Sequence, residues 1–140
     1  MPTLRGNMIK GVAETVLYAD DVEACAAFYA NVLGLELVKP PDEMFAAIRV
    51  TPESVVLLFN GDLSGRAGRD VPAHGTTGPG HVAFLVDNLD PWRKRLVAKG
   101  VEIEQEIEWE GGGRSIYVRD PANNSIELID RDIWPTAPGR

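Results

Sequence analysis

Three side chains that can bind a metal or transfer a proton stand among apolar neighbours in the sequence: Glu14, His81 and Glu127. The stretch VAETVLYADD (12–21) alternates as a half-buried strand does, and it puts Glu14 on one face with valine and tyrosine. His81 begins HVAFLVD, and Glu127 lies within SIELID. A charge inside a strand that otherwise reads as core needs a partner, because burying it alone is costly.

An internal repeat relates two of these residues. At an offset of 67 residues Glu14 aligns with His81 and Asp20 with Asp87, and after a one-residue insertion Gly34 aligns with Gly100. Each copy reads as a strand, a helix and three further strands. The repeat therefore predicts that Glu14 and His81 occupy equivalent positions at the start of each copy, with Glu127 on the last strand of the second.

The elements of each copy follow from hydrophobic period, capping residues and glycines. The first copy predicts strands near 12–19, 35–39, 44–50 and 54–60, with a helix near 22–33 that Asp20 or Asp21 caps and Gly34 ends. The second predicts strands near 81–87, 101–107, 114–119 and 125–130, with a helix near 90–99 that Asn88 or Asp90 caps and Gly100 ends.

Length and composition indicate one globular domain over residues 1–140. We expect module 1 at about 11–60, a Gly- and Pro-rich linker at 61–79, module 2 at about 80–131 and a tail at 132–140. A net charge of −7 and a pI near 4.8 argue against nucleic acid and anionic membranes as partners. No apolar run approaches the ~20 residues that a membrane span needs.

The single cysteine, Cys25, excludes an intrachain disulfide framework. It lies at helical spacing from Phe28, Tyr29 and Val32, so we interpret it as a core residue. The N-terminal stretch MPTLRGNMIKG lacks the apolar region of a secretory signal. These features predict a cytoplasmic protein.

The chain resembles the vicinal oxygen chelate superfamily, the group of glyoxalases, bleomycin-resistance proteins and extradiol dioxygenases. The resemblance rests on ETVLYADD and FYANVLGLEL in the first copy, and on GHVAFLVDN and RSIYVRDPANNSIELID in the second. It covers about residues 11–131, and its most specific part is the segment from Asp120 to Glu127. It implies an α+β fold in which two βαβββ modules form an open, cup-shaped eight-stranded mixed sheet with a metal inside.

The resemblance also implies a ligand set. Family ligands come from the first and last strand of each module, which corresponds to Glu14, Leu57, His81 and Glu127 here. Leucine cannot bind a metal, and Glu14 stands where most relatives have histidine. The expectation is therefore a site with three protein ligands for one divalent ion, Mn²⁺, Ni²⁺, Fe²⁺, Zn²⁺ or Mg²⁺.

A reading without metal stays open, because arginines could neutralise the carboxylates. Arg49, Arg114 and Arg119 are the candidates. His74, in the linker, fits a loop-structuring role better than a ligand role.

Substrate contacts are expected from Arg49, Trp109, Arg114 and Tyr117. EWEGGGRS (108–115) is not a phosphate loop, since no helix and no Lys-Ser/Thr pair follows, and it reads as a flexible hairpin. Loops at this place border the substrate in the family. Tyr117 lies ten residues before Glu127, which suggests opposite faces unless a bulge intervenes.

The function implied is that of a metal-dependent lyase or isomerase resembling glyoxalase. The metal would act as a Lewis acid on a small oxygen-chelating or thiol-conjugated substrate, and Glu14 or Glu127 would be the general base. The alternatives are an extradiol-type dioxygenase, a thiol transferase, and a metal-free protein that sequesters a ligand. Relatives of this length imply a homodimer in which each site is shared between subunits.

Overall fold

The computed structural model describes residues 10–134, and the chain divides into two compact units, Met1–Thr76 and Thr77–Arg140. The two predicted modules fall one in each unit. The tail from residue 135 onward and the first nine residues lie outside the described residues. A single domain over 1–140 stays a prediction.

The first unit has the predicted order of elements. Its elements are β1 Glu14–Tyr18, α1 Val22–Asn31, β2 Glu36–Lys39, β3 Phe45–Thr51, β4 Ser54–Phe59 and a short α2 Gly61–Ser64. The strands form a mixed sheet in the order β1-β4-β3-β2, in which β1 runs parallel to β4. Asp21 caps α1, because its Oδ1 accepts a hydrogen bond of 3.0 Å from the N–H of Ala24.

One face of this sheet is core and the other carries Glu14. Leu17, Ile48 and Leu58 are buried on the first face, and α1 packs against it. Cys25 on α1 is fully buried, which confirms its assignment to the core. The strand alternation turns Glu14 to the other face, where it is exposed at the start of β1.

The second unit repeats the pattern. Its elements are β5 His81–Leu85, α3 Leu89–Ala98, β6 Gln105–Glu108, β7 Arg114–Arg119 and β8 Ser125–Ile129. The strands form a mixed sheet in the order β5-β8-β7-β6, in which β5 runs parallel to β8. Asn88 caps α3, since its Oδ1 accepts a hydrogen bond of 3.0 Å from the N–H of Asp90.

The α+β class and the two βαβββ modules are confirmed, with the eight strands arranged as two four-stranded sheets. Two details differ. The strand predicted at 101–107 begins only at Gln105, because the N–H of Val101 bonds to Leu96 O at 2.9 Å and so closes α3 instead of joining the sheet. The predicted loop 61–79 contains α2, which Asn60 caps.

Within residues 10–134, the structure contains no helix with the length and apolarity that a membrane span requires.

Candidate metal-binding site

Two of the three predicted ligands meet on the open face of the second sheet. In the parallel pair β5–β8, His81 lies opposite Ser125 and Ala83 lies opposite Glu127. His81 Nε2 is 3.3 Å from Glu127 Oε1. The imidazole is half exposed, whereas the carboxylate is buried, with 8% of its side chain accessible. The site is therefore a buried carboxylate beneath an accessible imidazole.

The backbone fixes which nitrogen of His81 carries hydrogen. Its Nδ1 lies 3.0 Å from the carbonyl oxygen of Ser125. Because a carbonyl oxygen only accepts, Nδ1 must donate, and in the neutral ring Nε2 then carries the lone pair. That lone pair faces an oxygen of Glu127. Two acceptors at this distance need a proton or a cation between them.

A chain of hydrogen bonds holds the carboxylate of Glu127. The indole Nε1 of Trp109 donates to Ser115 Oγ at 2.8 Å, so the hydroxyl hydrogen of Ser115 is left for Glu127 Oε2, 2.6 Å away. Ser115 is fully buried. This supports one carboxylate oxygen and leaves Oε1 directed at His81, the kind of support that orients metal ligands in proteins.

Tyr117 lies directly across the sheet from Glu127. The expectation that these two residues point to opposite faces is wrong, since directly paired residues of antiparallel strands share a face. Burial, and then the charge of Glu127 and a hydrogen bond to it, raise the pKa of Tyr117 above its usual value of 10.0. The Tyr117 ring also stacks near that of His81, with centroids 6.4 Å apart. The phenol thus belongs to the site.

The segment DPANN (120–124) sets the register of both ligand strands. Asp120 Oδ1 accepts hydrogen bonds from the N–H groups of Ala122 and Asn124, at 2.9 and 2.8 Å. Asn124 Oδ1 accepts from the N–H of Gly80 at 2.7 Å, directly before His81. Asp120 and Asn124 are both buried. The segment DPANN therefore aligns the starts of β5 and β8.

The first unit keeps one predicted ligand, Glu14, at the positions equivalent to His81, Ser115 and Glu127. Its register places Leu57 opposite Val16, where the second unit has Glu127 opposite Ala83. Phe45 likewise occupies the position that Ser115 has in the second unit. The side chain of Glu14 makes no hydrogen bond or ion pair with other residues among 10–134. Only Glu14 in this unit can bind a metal at the positions the repeat defines.

Metal-type side chains do not form a larger cluster in the described part of the chain. Among residues 10–134, no three His, Cys, Asp or Glu side chains come together in a way that could hold an ion. The structure brings His81 and Glu127 together and places Glu14 in the other unit.

The predicted arginines are placed away from Glu127 or in the other unit. Arg114 pairs with Asp90 at 3.7 Å and with Asp130 at 3.9 Å, whereas Arg119 pairs with Glu104 at 2.6 Å. Arg49 lies on β3, and its Nη1 contacts Pro52 O at 3.5 Å. Within the second unit, the reading in which Arg114 or Arg119 neutralises Glu127 loses its basis.

His74 is held inside the first unit. Its Nδ1 lies 2.6 Å from the hydroxyl of Tyr18, and its ring meets Phe59 edge-on. Ser64 Oγ donates to the backbone oxygen of His74 at 2.7 Å. These contacts fix the linker on the sheet, which agrees with the loop-structuring interpretation.

The donor set of the second unit fits a divalent cation. It offers one imidazole nitrogen in the right tautomer and one buried carboxylate oxygen, with no sulfur, and such ligands suit first-row divalent metals. A cavity of about 530 Å³ opens beside the pair, and Trp109 lines it. A small molecule therefore has access to both His81 and Glu127.

The sequence interpretation missed three residues of this site: Ser115, Asp120 and Asn124. Ser115 could have been found from strand alternation, because it shares a face with Tyr117 and is a diagonal neighbour of Glu127 on the adjacent strand. Asp120 and Asn124 were noted only as part of a family motif. Asn124 acts through Gly80, forty-four residues away in sequence, and Asp120 acts through Asn124.

Comparison with known proteins agrees with this architecture. The family described as the Glyoxalase/Bleomycin resistance protein/Dioxygenase superfamily matches residues 11–128. A crystal structure of lactoylglutathione lyase from Agrobacterium tumefaciens superposes with a TM-score of 0.85 and 35% identity, over 93% of this chain and 100% of that one.

Curated relatives point the same way. Lactoylglutathione lyase from Salmonella typhimurium is 29% identical over 83% of this chain and 89% of its own length. The Haemophilus influenzae lactoylglutathione lyase is 27% identical over 85% of this chain and 91% of its own length. With two βαβββ modules and a family match over residues 11–128, the chain belongs to the glyoxalase/bleomycin resistance protein/dioxygenase superfamily.

Proposed function

We propose that the protein is a divalent-metal-dependent lyase or isomerase of the glyoxalase type. The observation that carries the proposal is the contact of His81 Nε2 with Glu127 Oε1 at 3.3 Å, in which both atoms present lone pairs when the imidazole is neutral. A cation bound by both removes that conflict and leaves coordination positions free. Similarity to three lactoylglutathione lyases supports this class of reaction.

The metal would be held by His81, Glu127 and Glu14, and when bound it would act as a Lewis acid on neighbouring oxygens of the substrate. The residues of the chain supply the rest. Ser115 holds one oxygen of Glu127 and so orients the other, and Tyr117, which pairs with Glu127 across β7 and β8, borders the site. A carboxylate with one free oxygen can accept a proton from the substrate. Glu14 and Glu127 are the candidates for this general base.

Glu14 would reach the site as part of a homodimer. We propose that Glu14 of one subunit joins His81 and Glu127 of the partner, which gives two equivalent sites. The support is that His81 and Glu127 meet in the second unit, whereas Glu14 is the metal-type residue at the equivalent positions of the first unit. A cytoplasmic location goes with this proposal.

The direct test is the interconversion of lactoylglutathione with methylglyoxal and glutathione, followed as formation of the thioester from these two compounds. Protein stripped with a chelator should be inactive, and Mn²⁺, Ni²⁺, Fe²⁺, Zn²⁺ or Mg²⁺ should restore activity to different degrees. His81→Ala and Glu127→Gln should remove the restored activity. Wild-type turnover that survives metal removal would contradict metal dependence, and no turnover with any metal would contradict this substrate.

Two other activities are tested on the same preparation. Oxygen uptake with catechols would indicate a ring-cleaving dioxygenase. Protein purified without added metal that binds no divalent ion, yet binds a small ligand, would indicate a sequestering protein.

A further inference from the structure

The cavity beside His81 and Glu127 continues along β8 to the segment that follows this strand. Its volume of about 530 Å³ lies in the range of small-molecule pockets. Its apolar lining comes from Leu85, Trp109, Ile129, Ile133 and Trp134. The cavity therefore joins a polar end, at the two metal-type residues, to an apolar middle.

Arg131 also lines this cavity. It follows Glu127 by four residues, which corresponds to roughly 13 Å for an extended chain. Its guanidinium makes a hydrogen bond to Gly111 O at 3.3 Å and forms no ion pair within residues 10–134. Arg114 and Arg119, by contrast, each pair with a carboxylate. Within residues 10–134, Arg131 thus brings to this cavity a positive charge that no carboxylate pairs with.

The glycine run 111–113 is shaped around Arg131. All three glycines have positive φ, of 85°, 105° and 93°, and the turn is closed by bonds between Trp109 and the last two of them. A Cβ on Gly112 would overlap Arg131 Nη1, and one on Gly113 would lie 3.3 Å from Arg131 Cβ. The run predicted to be a flexible hairpin is therefore a hydrogen-bonded turn against which Arg131 lies.

The negative groups of the same cavity do not reach this guanidinium. Glu127 is held by Ser115 and directed at His81. Asp132 accepts a hydrogen bond of 2.9 Å from the N–H of Trp134. An acidic group that enters the cavity can thus find a cation at Arg131 without displacing a carboxylate.

We propose that Arg131 recognises an acidic group of the substrate, so that the compounds this protein takes are small amphipathic acids. One end would offer oxygens to His81 and Glu127, an apolar part would pack on Trp109 and Ile133, and a carboxylate or similar anion would pair with Arg131. The assignment of the first end rests on the proposed function, whereas the Arg131 contact does not. Charge-assisted contacts of arginine with carboxylates are strong and directional.

Two dyes that differ by one charge test this contact without metal. Anilinonaphthalene sulfonate and phenylnaphthylamine share a ring system, and only the first carries an anion. Their affinities are measured by fluorescence on metal-free full-length protein. Arg131→Ala should weaken binding of the sulfonate dye about tenfold and leave the uncharged dye unchanged, and Arg131→Lys should recover part of the loss. Trp134→Ala should weaken both dyes.

The glycine run supplies a matched pair of variants. Gly112→Ala should displace the guanidinium and reproduce the selective loss of the sulfonate dye. Gly111→Ala introduces similar backbone strain at positive φ, but its Cβ meets nothing within 4 Å, so it should leave dye selectivity unchanged. Phenylbutyrate should displace the sulfonate dye from wild-type protein, and phenylbutyramide should not.

Three results would overturn the proposal: no binding of the sulfonate dye to wild type, an equal loss of both dyes in Arg131→Ala, or no loss of either. An equal loss would mean that Arg131 only shapes the turn. Because the dyes are measured without metal, failure of metal binding or of lactoylglutathione turnover leaves this test intact. Failure of the dye test likewise leaves the proposed metal-dependent function standing.

Discussion

The side chain of Asn124 joins the two ligand strands at their starts, because its Oδ1 accepts a hydrogen bond of 2.7 Å from the N–H of Gly80. Asn124→Ala removes this bond and leaves the N–H of Gly80 without its acceptor. We expect the free energy of unfolding to fall by about 1–2 kcal/mol. We also expect metal affinity to fall, because His81 directly follows Gly80. Denaturant unfolding and equilibrium dialysis measure the two effects.

Asn88→Ala is the control for Asn124. Asn88 caps α3 in the same unit, so its loss should cost about 1 kcal/mol of stability and leave metal affinity unchanged. If the two variants affected metal binding equally, the register argument would fail.

Ser115→Ala removes the hydrogen bond that holds Glu127 Oε2. Support of this kind for a metal ligand is worth roughly 10- to 100-fold in affinity, and we expect a loss of that size in a Mn²⁺ or Ni²⁺ titration. Trp109→Phe is the graded comparison, because it removes the donor to Ser115 and leaves the hydroxyl in place. Its effect should be smaller, and an unchanged affinity in Ser115→Ala would show that Glu127 needs no such support.

The phenol of Tyr117 should have a higher pKa than an ordinary tyrosine, because burial and the nearby Glu127 raise it. A group whose pKa is higher in the folded state adds stability that is complete below its unfolded value, near 10, and is lost as the pH rises through the folded value. Tyr117→Phe should therefore be less sensitive to alkaline pH than wild type. The measurements are ultraviolet titration of the phenols and unfolding at pH 9 to 12.

Glu127→Gln separates the causes in the Tyr117 titration. It removes the charge and keeps the burial, so the pKa of Tyr117 should fall without returning fully to 10. An unchanged pKa would mean that Glu127 does not act on the phenol.

A shared site makes a specific prediction for mixed dimers. Glu14→Ala protein has intact second units, and the His81→Ala, Glu127→Gln double variant has intact first units. Each alone should be inactive, and a heterodimer of the two should regain one intact site of two. Activity of the mixture after unfolding and refolding together, against the same proteins refolded apart, measures this. No recovery would place each site within one chain.

Local signals in the sequence were enough to predict most of the fold. Periodicity fixed the strands, and side-chain caps and glycines fixed the ends of both long helices, as Asp21 and Gly100 illustrate. The start of β6 was predicted too early, because Val101 alternates like a strand residue while its N–H closes α3. A four-residue helix such as α2 has too few residues for a periodic signal.

The candidate site was only partly predictable, because the contacts that hold its residues form between strands that are distant in sequence. The repeat identified His81, and the family motif identified Glu127, but neither shows which neighbours hold them. Ser115 looks like any small residue in a strand, and its role depends on Trp109 and Glu127 arriving on either side of it. The orientation of Tyr117 was predicted incorrectly because it depends on how the turn between β7 and β8 sets their pairing.

A crystal of the protein loaded with Mn²⁺ or Ni²⁺ tests the central claim most directly, by anomalous scattering from the metal. The expected result is a single anomalous peak per site within bonding distance of His81 Nε2 and Glu127 Oε1, with a Glu14 carboxylate completing the protein ligands. A peak elsewhere on the chain, or a His81–Glu127 pair that stays at its present separation with no ion at saturating metal, would contradict it.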